Sequence, residues 1–206
     1  EIYNGVRENS EEVPYDTADP MDDNGHGTHC AGIIAAAWNG YGVSGVTSGA
    51  RIMSIKVGND LGMVFIDAII RSYDYMITAK KAGVNICASN NSYGGSTCSQ
   101  TEILLIAEAG KNGIVCCFAA GNESMDLDCA NADMPLHARV PQVVIVGASN
   151  VEGRISSFSN YGRRDVDVYA PGETILSTVP MGTGIPTAAS GTFMDGETPC
   201  EVDYSS

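Results

Sequence analysis

Apolar runs alternate with amphipathic helical segments through the middle of the chain, and this alternation restricts the possible folds more than any other feature of the sequence. The segments are, in order, a strand over 51–57, a helix over 64–81, a strand over 84–89, a helix from the Ser99–Glu102 capping box to Gly113, and a strand over 114–118. The last run is continuously apolar, which is typical of a strand covered on both faces. The order predicts an α/β fold, a three-layer, doubly wound, mostly parallel sheet with helices on both faces.

The rest of the chain adds further strands at 143–146 and 166–169 and a short extended piece at 175–178. Residues 1–24 are acidic and contain two prolines, so they are predicted to be an irregular lead-in. Residues 184–206 are acidic and broken by glycine and proline, which indicates an insertion or a divergent tail. At 206 residues the chain suits a single domain, and we predict one over 1–206.

The charge balance excludes some partners. Eleven basic against 25 acidic side chains give a net charge of −14, which repels phosphate backbones and anionic membrane surfaces, so neither nucleic acid nor a membrane is an expected partner. The acidic residues concentrate in 8–23 and 123–128. Either stretch could hold calcium as a structural ion, or could be a solvated acidic loop, so a metal site stays unknown at this point.

Seven cysteines are an odd number, so at least one is free or paired outside this chain. Cys87, Cys116 and Cys117 lie in apolar, strand-like runs and are predicted to be buried thiols. Cys98 and Cys129 lie in polar loops and could form a bridge.

A histidine stands between two glycines, Gly25 and Gly27, at the start of a run of small apolar residues. This pattern predicts a loop that enters a buried helix with the His26 imidazole in its first turn. An imidazole can exchange protons near neutral pH, so His26 is a catalytic candidate. One alternative is a glycine loop with structural histidines; another is a metal pair of His26 and His29, which lacks the glutamate of a zinc-peptidase helix.

Two polar residues close to glycines follow predicted strands. Ser92 comes after the second strand and Asn122 after the third. Because the carboxyl ends of parallel strands meet at one edge of a sheet, both residues are expected at the edge where such folds place their chemistry.

Five short motifs stand in the order found in the subtilisin-like serine peptidases, and the chain resembles that family from about residue 18 to 180. The motifs are HGTHCAG at 26–32, SYGG at 92–95, AAGN at 119–122, SFSNYG at 157–162 and APG at 170–172. The resemblance implies a domain that cleaves peptide bonds with a serine nucleophile, a histidine general base and an aspartate that orients the histidine. It implies no required cofactor.

The resemblance also implies roles for individual residues. His26 matches the general base and Asn122 the side-chain amide that donates to the oxyanion. The matching substrate-binding positions are Ser92, Tyr93 and Gly94 on an edge strand, Ala119, Ala120 and Gly121 along a pocket, and Gly62–Val64 on the opposite wall. Cys30 matches a thiol that a subset of the family carries beside the histidine helix.

The other two triad positions have no match. The aspartate would precede the histidine by roughly 30 residues, upstream of Glu1, and Asp16 is too close to His26 to be named catalytic. The nearest resemblance to the serine motif puts Phe193 in the position of the nucleophile. The sequence therefore predicts a partial domain that lacks the first catalytic strand and the serine helix, with 184–206 as an insertion.

The functional prediction is a segment of a serine endopeptidase that is inactive as this isolated chain. The alternatives are a pseudopeptidase module that binds peptides, with Phe193 in the nucleophile position, and a structural or immunogenic fragment. Expected partners are a polypeptide substrate, an inhibitory pro-segment, or the missing parts of the same domain. The first residues do not resemble a signal peptide. The family resemblance nevertheless implies a secreted or cell-surface location.

Overall fold

The structure is a computed structural model that describes residues 3–4, 21–94, 99–129 and 140–180. The chain divides into two compact units. The first unit comprises Glu1–Ala68 and Thr174–Ser206, and the second comprises Ile69–Glu173. The single domain expected over 1–206 stays a prediction.

The described part of the first unit contains a short parallel strand pair, one whole helix and the first residues of a second helix, α2 (Ile66–Lys81). Strand β1 (Tyr3–Asn4) pairs with β2 (Ile55–Lys56), and helix α1 spans His26–Ala35. The strand expected over 51–57 is thus reduced to two residues. Within the lead-in expected to be irregular, Tyr3–Asn4 takes extended backbone because it pairs with β2.

Helix α1 begins at the predicted residue, but it is less buried than expected, since His29 and Gly32 are its only buried residues. The segment expected to be extended at 175–178 forms no strand and instead contacts this helix. Ser177 Oγ donates to His29 O at 2.6 Å, and Thr178 Oγ1 donates to Thr28 O at 2.9 Å. A Cβ on Gly32 would overlap both hydroxyl groups, so this close approach requires a glycine.

The second unit carries most of helix α2 and the larger sheet. The elements are α2 (Ile66–Lys81), β3 (Ala88–Asn91), α3 (Gln100–Lys111), β4 (Val115–Ala119), β5 (Val143–Ser149) and β6 (Val168–Pro171). The strands lie in the order β3-β4-β5-β6 and all three pairings are parallel. The alternation of strands and helices predicted from the sequence is therefore present, with a parallel sheet as its result.

Two boundaries show how local contacts set these elements. Ser99 caps α3, because its Oγ accepts from the backbone amide of Glu102 at 3.1 Å, as the capping box predicts. The strand expected over 84–89 begins four residues later, at Ala88. The chain first leaves α2 through a turn in which Val84 N donates to Ala79 O and Ile86 N donates to Val84 O, so pairing with β4 starts late.

The centre of the second unit is a buried polar contact between α2 and the sheet. Tyr73 is fully buried, and its hydroxyl donates to Asn91 Oδ1 at 3.0 Å. Asn91 Nδ2 donates in turn to the carbonyl of Cys117 in β4, at 3.1 Å. Because both side chains are buried, their polar atoms need hydrogen-bond partners within the protein, and this contact fixes α2 against the end of β3.

The cysteines differ from the expectation in part. Cys116 is buried as predicted, Cys117 is half-buried, and Cys87 is exposed. Cys117 points to the opposite face from Cys116 because side chains alternate along a strand. Cys87 directly precedes β3; its carbonyl accepts from the Val115 amide of β4 at 3.0 Å, while the residue itself is exposed. Cys129 has a free thiol, while Cys98, its expected partner, lies outside the described residues.

Replacing Tyr73 by Phe removes one hydrogen bond from the buried contact and leaves the ring in place. We expect the free energy of unfolding to fall by about 1 kcal/mol, the typical net value of such a bond. Urea unfolding followed by circular dichroism measures it. The matched control is Tyr161→Phe, since the Tyr161 side chain is 41% exposed. Equal stability of the two variants would contradict this account of the α2–β3 contact.

Candidate active site

The loop before α1 is organised by one carboxylate. Asp22 Oδ1 accepts from the amides of Asn24 at 3.1 Å and Gly25 at 2.8 Å. Asp22 Oδ2 accepts from the Thr28 amide and the Thr28 hydroxyl, both at 2.7 Å. The N-cap residue itself is Gly25, with φ of 99° and no side chain to cap the helix, so Asp22 provides that cap from outside the helix. This arrangement places His26 at the first helical position.

The surroundings keep the His26 imidazole neutral near pH 7. Burial lowers the pKa of His26 and the nearby His29 lowers it further, while the Asp22 charge acts in the opposite direction. Burial alone would raise the pKa of Asp22, but the hydrogen bonds from Gly25, Thr28 and Asn24 together bring it below the ordinary value. Cys30 Sγ lies 3.9 Å from His26 Nδ1, which is where the resemblance places a thiol. A neutral ring can accept a proton, as a general base must.

His29 differs from His26 in its surroundings. Its ring is buried, and Nε2 lies 3.2 Å from the carbonyl oxygen of Ile175. Nε2 faces a carbonyl at this distance and therefore donates to it, which leaves Nδ1 as the ring nitrogen of His29 that carries a lone pair. Among the described residues, no group of three or more histidine, cysteine or acidic side chains could hold a metal ion. The geometry therefore does not favour the metal pair of His26 and His29.

Ser92 and Asn122 follow neighbouring parallel strands, as expected. Strand β3 ends at Asn91, which pairs with Phe118 in β4, so the residues that follow both strands lie at the same edge of the sheet. Tyr93 packs edge-on against Phe118, with ring centroids 6.3 Å apart, and its hydroxyl donates to Asn91 Oδ1 at 3.0 Å. Gly94, the next residue, is exposed.

The segment Ala119–Asn122 leaves β4 through a sharp bend. Ala119 is exposed, and the amide of Ala120 donates to Val146 O at 2.9 Å, which continues the β4–β5 ladder by one residue. Gly121 has φ of +103°, a conformation that favours glycine, and Asn122 follows with an exposed side chain. The bend presents the Asn122 amide at the surface of the second unit.

Two residues, one in each unit, shape the loops described above and have no role predicted from the sequence. Asp22 holds the loop before His26, and Asn160 binds the backbone on both sides of Asn122. A signal for each was present, because Asp22 opens the histidine stretch and Asn160 stands inside the SFSNYG motif.

The positions that the resemblance assigns to the site lie in both units, and some lie outside the described residues. His26 and the Gly62–Val64 turn belong to the first unit, and the Ser92 and Asn122 segments belong to the second. In the turn, the Met63 amide donates to Asn59 Oδ1 at 2.9 Å. Phe193 and Asp16 lie outside the described residues.

The acidic stretch 123–128 uses its carboxylates within the protein. Asp126 Oδ1 accepts from the amide of Asp128 at 3.0 Å. The Asp128 carboxylate accepts from three successive amides, those of residues 163–165. A structural calcium ion stays a prediction, and most of the other acidic stretch lies outside the described residues. The described helices include none with both the length and the apolar character needed to cross a membrane.

Comparison with known proteins gives a consistent result. Residues 2–198 match the model of the subtilase family, Peptidase_S8. Subtilisin NAT of Bacillus subtilis subsp. natto is 36% identical over 178 residues, which cover 86% of this chain and 45% of that protein. The major intracellular serine protease of Bacillus subtilis is 37% identical over 160 residues, which cover 77% of this chain and 48% of that protein. The chain spans about half the length of these curated relatives.

A solved structure agrees with the sequence comparisons. The crystal structure of a cold adapted subtilisin-like serine proteinase matches with a TM-score of 0.64 and 29% sequence identity. The match covers 84% of this chain and 63% of that one.

Replacing Asp22 by Ala removes the cap of α1, and we expect a loss of about 1 kcal/mol in the free energy of unfolding at pH 7. Because the folded-state pKa of Asp22 lies below the ordinary 3.8, its stabilisation is complete well above pH 3.8 and is lost as the pH falls through the lower folded-state value. Urea unfolding from pH 7 to pH 3 measures the difference from wild type, which should shrink over the acidic part of this range.

The control for Asp22→Ala is Asp74→Ala, which removes an exposed carboxylate from α2. It should show no comparable loss at pH 7. A stability difference for Asp22→Ala that is constant from pH 7 to pH 3 would contradict the capping role of the charged carboxylate.

Proposed function

This chain belongs to the subtilase family, and on that premise we propose that the protein carrying these residues is a serine endopeptidase that hydrolyses peptide bonds in proteins. The predicted fold, a mostly parallel α/β sheet of the subtilisin type, is confirmed. The chain covers about half of its curated relatives, so the activity of the whole protein is a proposal that rests on the residues described above.

The observation that carries the proposal is the state of His26. The ring is half-buried at the first position of α1, and its pKa is held below the ordinary value by burial. A general base must be unprotonated at the working pH and fixed in position. Three of the four hydrogen bonds accepted by Asp22 come from backbone amides on both sides of His26 and hold this part of the chain in place, so the ring fits that requirement.

In the proposed reaction, a serine hydroxyl attacks the scissile carbonyl while His26 takes its proton and later returns it to the leaving amine. Asn122 donates from its side-chain amide to the oxyanion that forms on the carbonyl oxygen. The exposure of Asn122 beyond the end of β4 supports this role, because the group must reach a substrate. No described residue matches the nucleophile, and we propose that the isolated 206-residue chain is inactive.

Substrate binding is proposed for two segments that follow neighbouring strands. Among the described strands, β3 lies at the edge of the four-stranded sheet, and an extended peptide can add to such an edge through main-chain hydrogen bonds. Ser92, Tyr93 and Gly94 continue from this strand and would pair with the substrate backbone. Ala119, Ala120 and Gly121 would line the pocket for the residue before the scissile bond, where their small side chains leave room.

The proposal extends to partners and location. The expected partners are a polypeptide substrate, an inhibitory pro-segment or other parts of the same domain. We propose no required cofactor, and a structural calcium ion as an optional addition. We also propose a secreted or cell-surface location from the family resemblance, although one relative is named as an intracellular protease. The pseudopeptidase hypothesis depends on Phe193, which lies outside the described residues.

Replacing His26 or Asn122 by Ala in the protein that carries these residues together with its nucleophile tests the proposal. We expect His26→Ala to abolish hydrolysis of a peptide substrate, and Asn122→Ala to lower kcat by roughly 100- to 1000-fold, the usual effect of losing one oxyanion donor. Steady-state kinetics on a chromogenic peptide measures both. Asn85→Ala is the matched control, since Asn85 is an exposed asparagine of the turn after α2. Full activity of His26→Ala would contradict the proposed function.

A further inference from the structure

One buried side chain binds the backbone on both sides of Asn122. Asn160 is 4% exposed. Its Oδ1 accepts from the amides of Glu123 at 3.0 Å and Met125 at 2.9 Å. Its Nδ2 donates to Ala120 O at 2.9 Å and to Glu123 Oε2 at 2.6 Å. An asparagine side chain can accept two and donate two hydrogen bonds, so all of its capacity is spent on residues 120–125.

Main-chain contacts continue the same connection. The amide of Asn160 donates to Gly121 O at 2.9 Å, and the amide of Ser124 donates to Phe158 O at 2.9 Å. Tyr161 N donates to Met125 O, also at 2.9 Å. The bend that carries Asn122 is therefore hydrogen-bonded to the segment 158–161 through the main chain of Phe158, Asn160 and Tyr161, in addition to the Asn160 side chain.

The segment 158–161 is itself anchored to the sheet. Ser159 is 2% exposed, and its Oγ accepts from the amide of Ala148 in β5 at 2.9 Å and donates to Asn160 O at 2.9 Å. Ser159 thus connects Asn160 to β5, an inner strand of the parallel sheet. Asn160 in turn connects the bend to this strand.

Gly121 is fitted to this contact. Its φ of +103° suits glycine, and a Cβ built there would lie 2.5 Å from Asn160 Nδ2. No real Cβ comes so close to a polar atom, so the glycine and the asparagine depend on each other.

We propose that Asn160 is a positioning residue for the oxyanion donor, and that it sets the direction of the Asn122 side chain by holding Ala120, Glu123 and Met125. This inference rests on the proposed function. A donor stabilises an oxyanion only when it lies within a few tenths of an ångström of its working place, so small backbone shifts at residue 122 act on kcat. Asn160 does so without touching the substrate.

A double-mutant cycle with Asn122→Ala and Asn160→Ala, in the protein together with its nucleophile, separates positioning from general stabilisation. Rates are normalised to the active sites titrated with a fluorophosphonate. We expect Asn160→Ala alone to lower kcat by up to about 100-fold, the effect of a small misplacement of a catalytic group, with little change in KM. In the Asn122→Ala background, Asn160→Ala should lower kcat no further, because the donor that it positions is already gone.

The matched control is Asn150→Ala. Asn150 Oδ1 also accepts from two backbone amides, those of Glu152 at 3.1 Å and Arg154 at 2.9 Å, in a turn that does not carry Asn122. This variant should keep the wild-type kcat. An equal fall in kcat for Asn150→Ala and Asn160→Ala would overturn the positioning role.

A second pair of variants keeps the test decisive if Asn160→Ala does not fold. Asn160→Asp has nearly the same shape but places a carboxylate against Glu123 Oε2, so kcat should fall. Adding Glu123→Gln supplies an amide that can donate to the introduced carboxylate, and part of the lost kcat should return. A double variant no faster than Asn160→Asp would overturn the proposal.

The outcomes distinguish the inference from the function on which it depends. If Asn122→Ala leaves kcat unchanged, the proposed function of Asn122 fails and the inference fails with it. If Asn122→Ala lowers kcat but Asn160→Ala does not, only the positioning role is overturned. If the two losses multiply in the double variant, Asn160 acts by another route and the proposal is again wrong.

Discussion

The parallel pairing of β3, β4 and β5 is the constraint on which the rest of the second unit depends. In a parallel sheet the carboxyl ends of neighbouring strands lie at one edge, and the register places Asn91 opposite Phe118 and Phe118 opposite Ile145. The segments that begin at Ser92 and Ala120 therefore emerge side by side. The strand ends therefore determine where the side chains of these segments lie, and the loop conformations determine the directions in which they point.

Two polar side chains stabilise the loops before His26 and around Asn122 in the same way, by hydrogen bonds to backbone groups. Asp22 and Asn160 each satisfy several backbone groups of a bend that contains a glycine with positive φ, Gly25 in one case and Gly121 in the other. A backbone bend without regular hydrogen bonds would otherwise fluctuate among conformers. In both cases one side chain supplies the hydrogen bonds that these backbone groups need, and this restricts the conformations of the bends next to His26 and Asn122.

The sequence predicted most of the sheet, and it predicted that His26 lies at the start of a helix and that Ser92 and Asn122 follow strands, which is where the structure has them. Periodicity located α2, the Ser99–Glu102 capping box located α3, and the continuous apolar run located β4. It failed where tertiary contact decides the outcome. Strand β3 begins late because the amides of Val84 and Ile86 form hydrogen bonds within the preceding turn. Tyr3–Asn4 is a strand because it pairs with β2. The sequence did not predict a positioning role for Asn160, because its hydrogen-bond partners lie about 35 to 40 residues away in the chain.

The labelling of the protein that carries this chain by a serine-directed fluorophosphonate probe tests the central claim most directly. The account predicts covalent labelling of one serine, at a rate that falls sharply in the His26→Ala variant, because the ring must take the proton of the attacking hydroxyl. Absence of labelling in correctly folded, full-length protein would contradict the claim that this is a peptidase. It would favour instead a module that binds peptides and does not cut them.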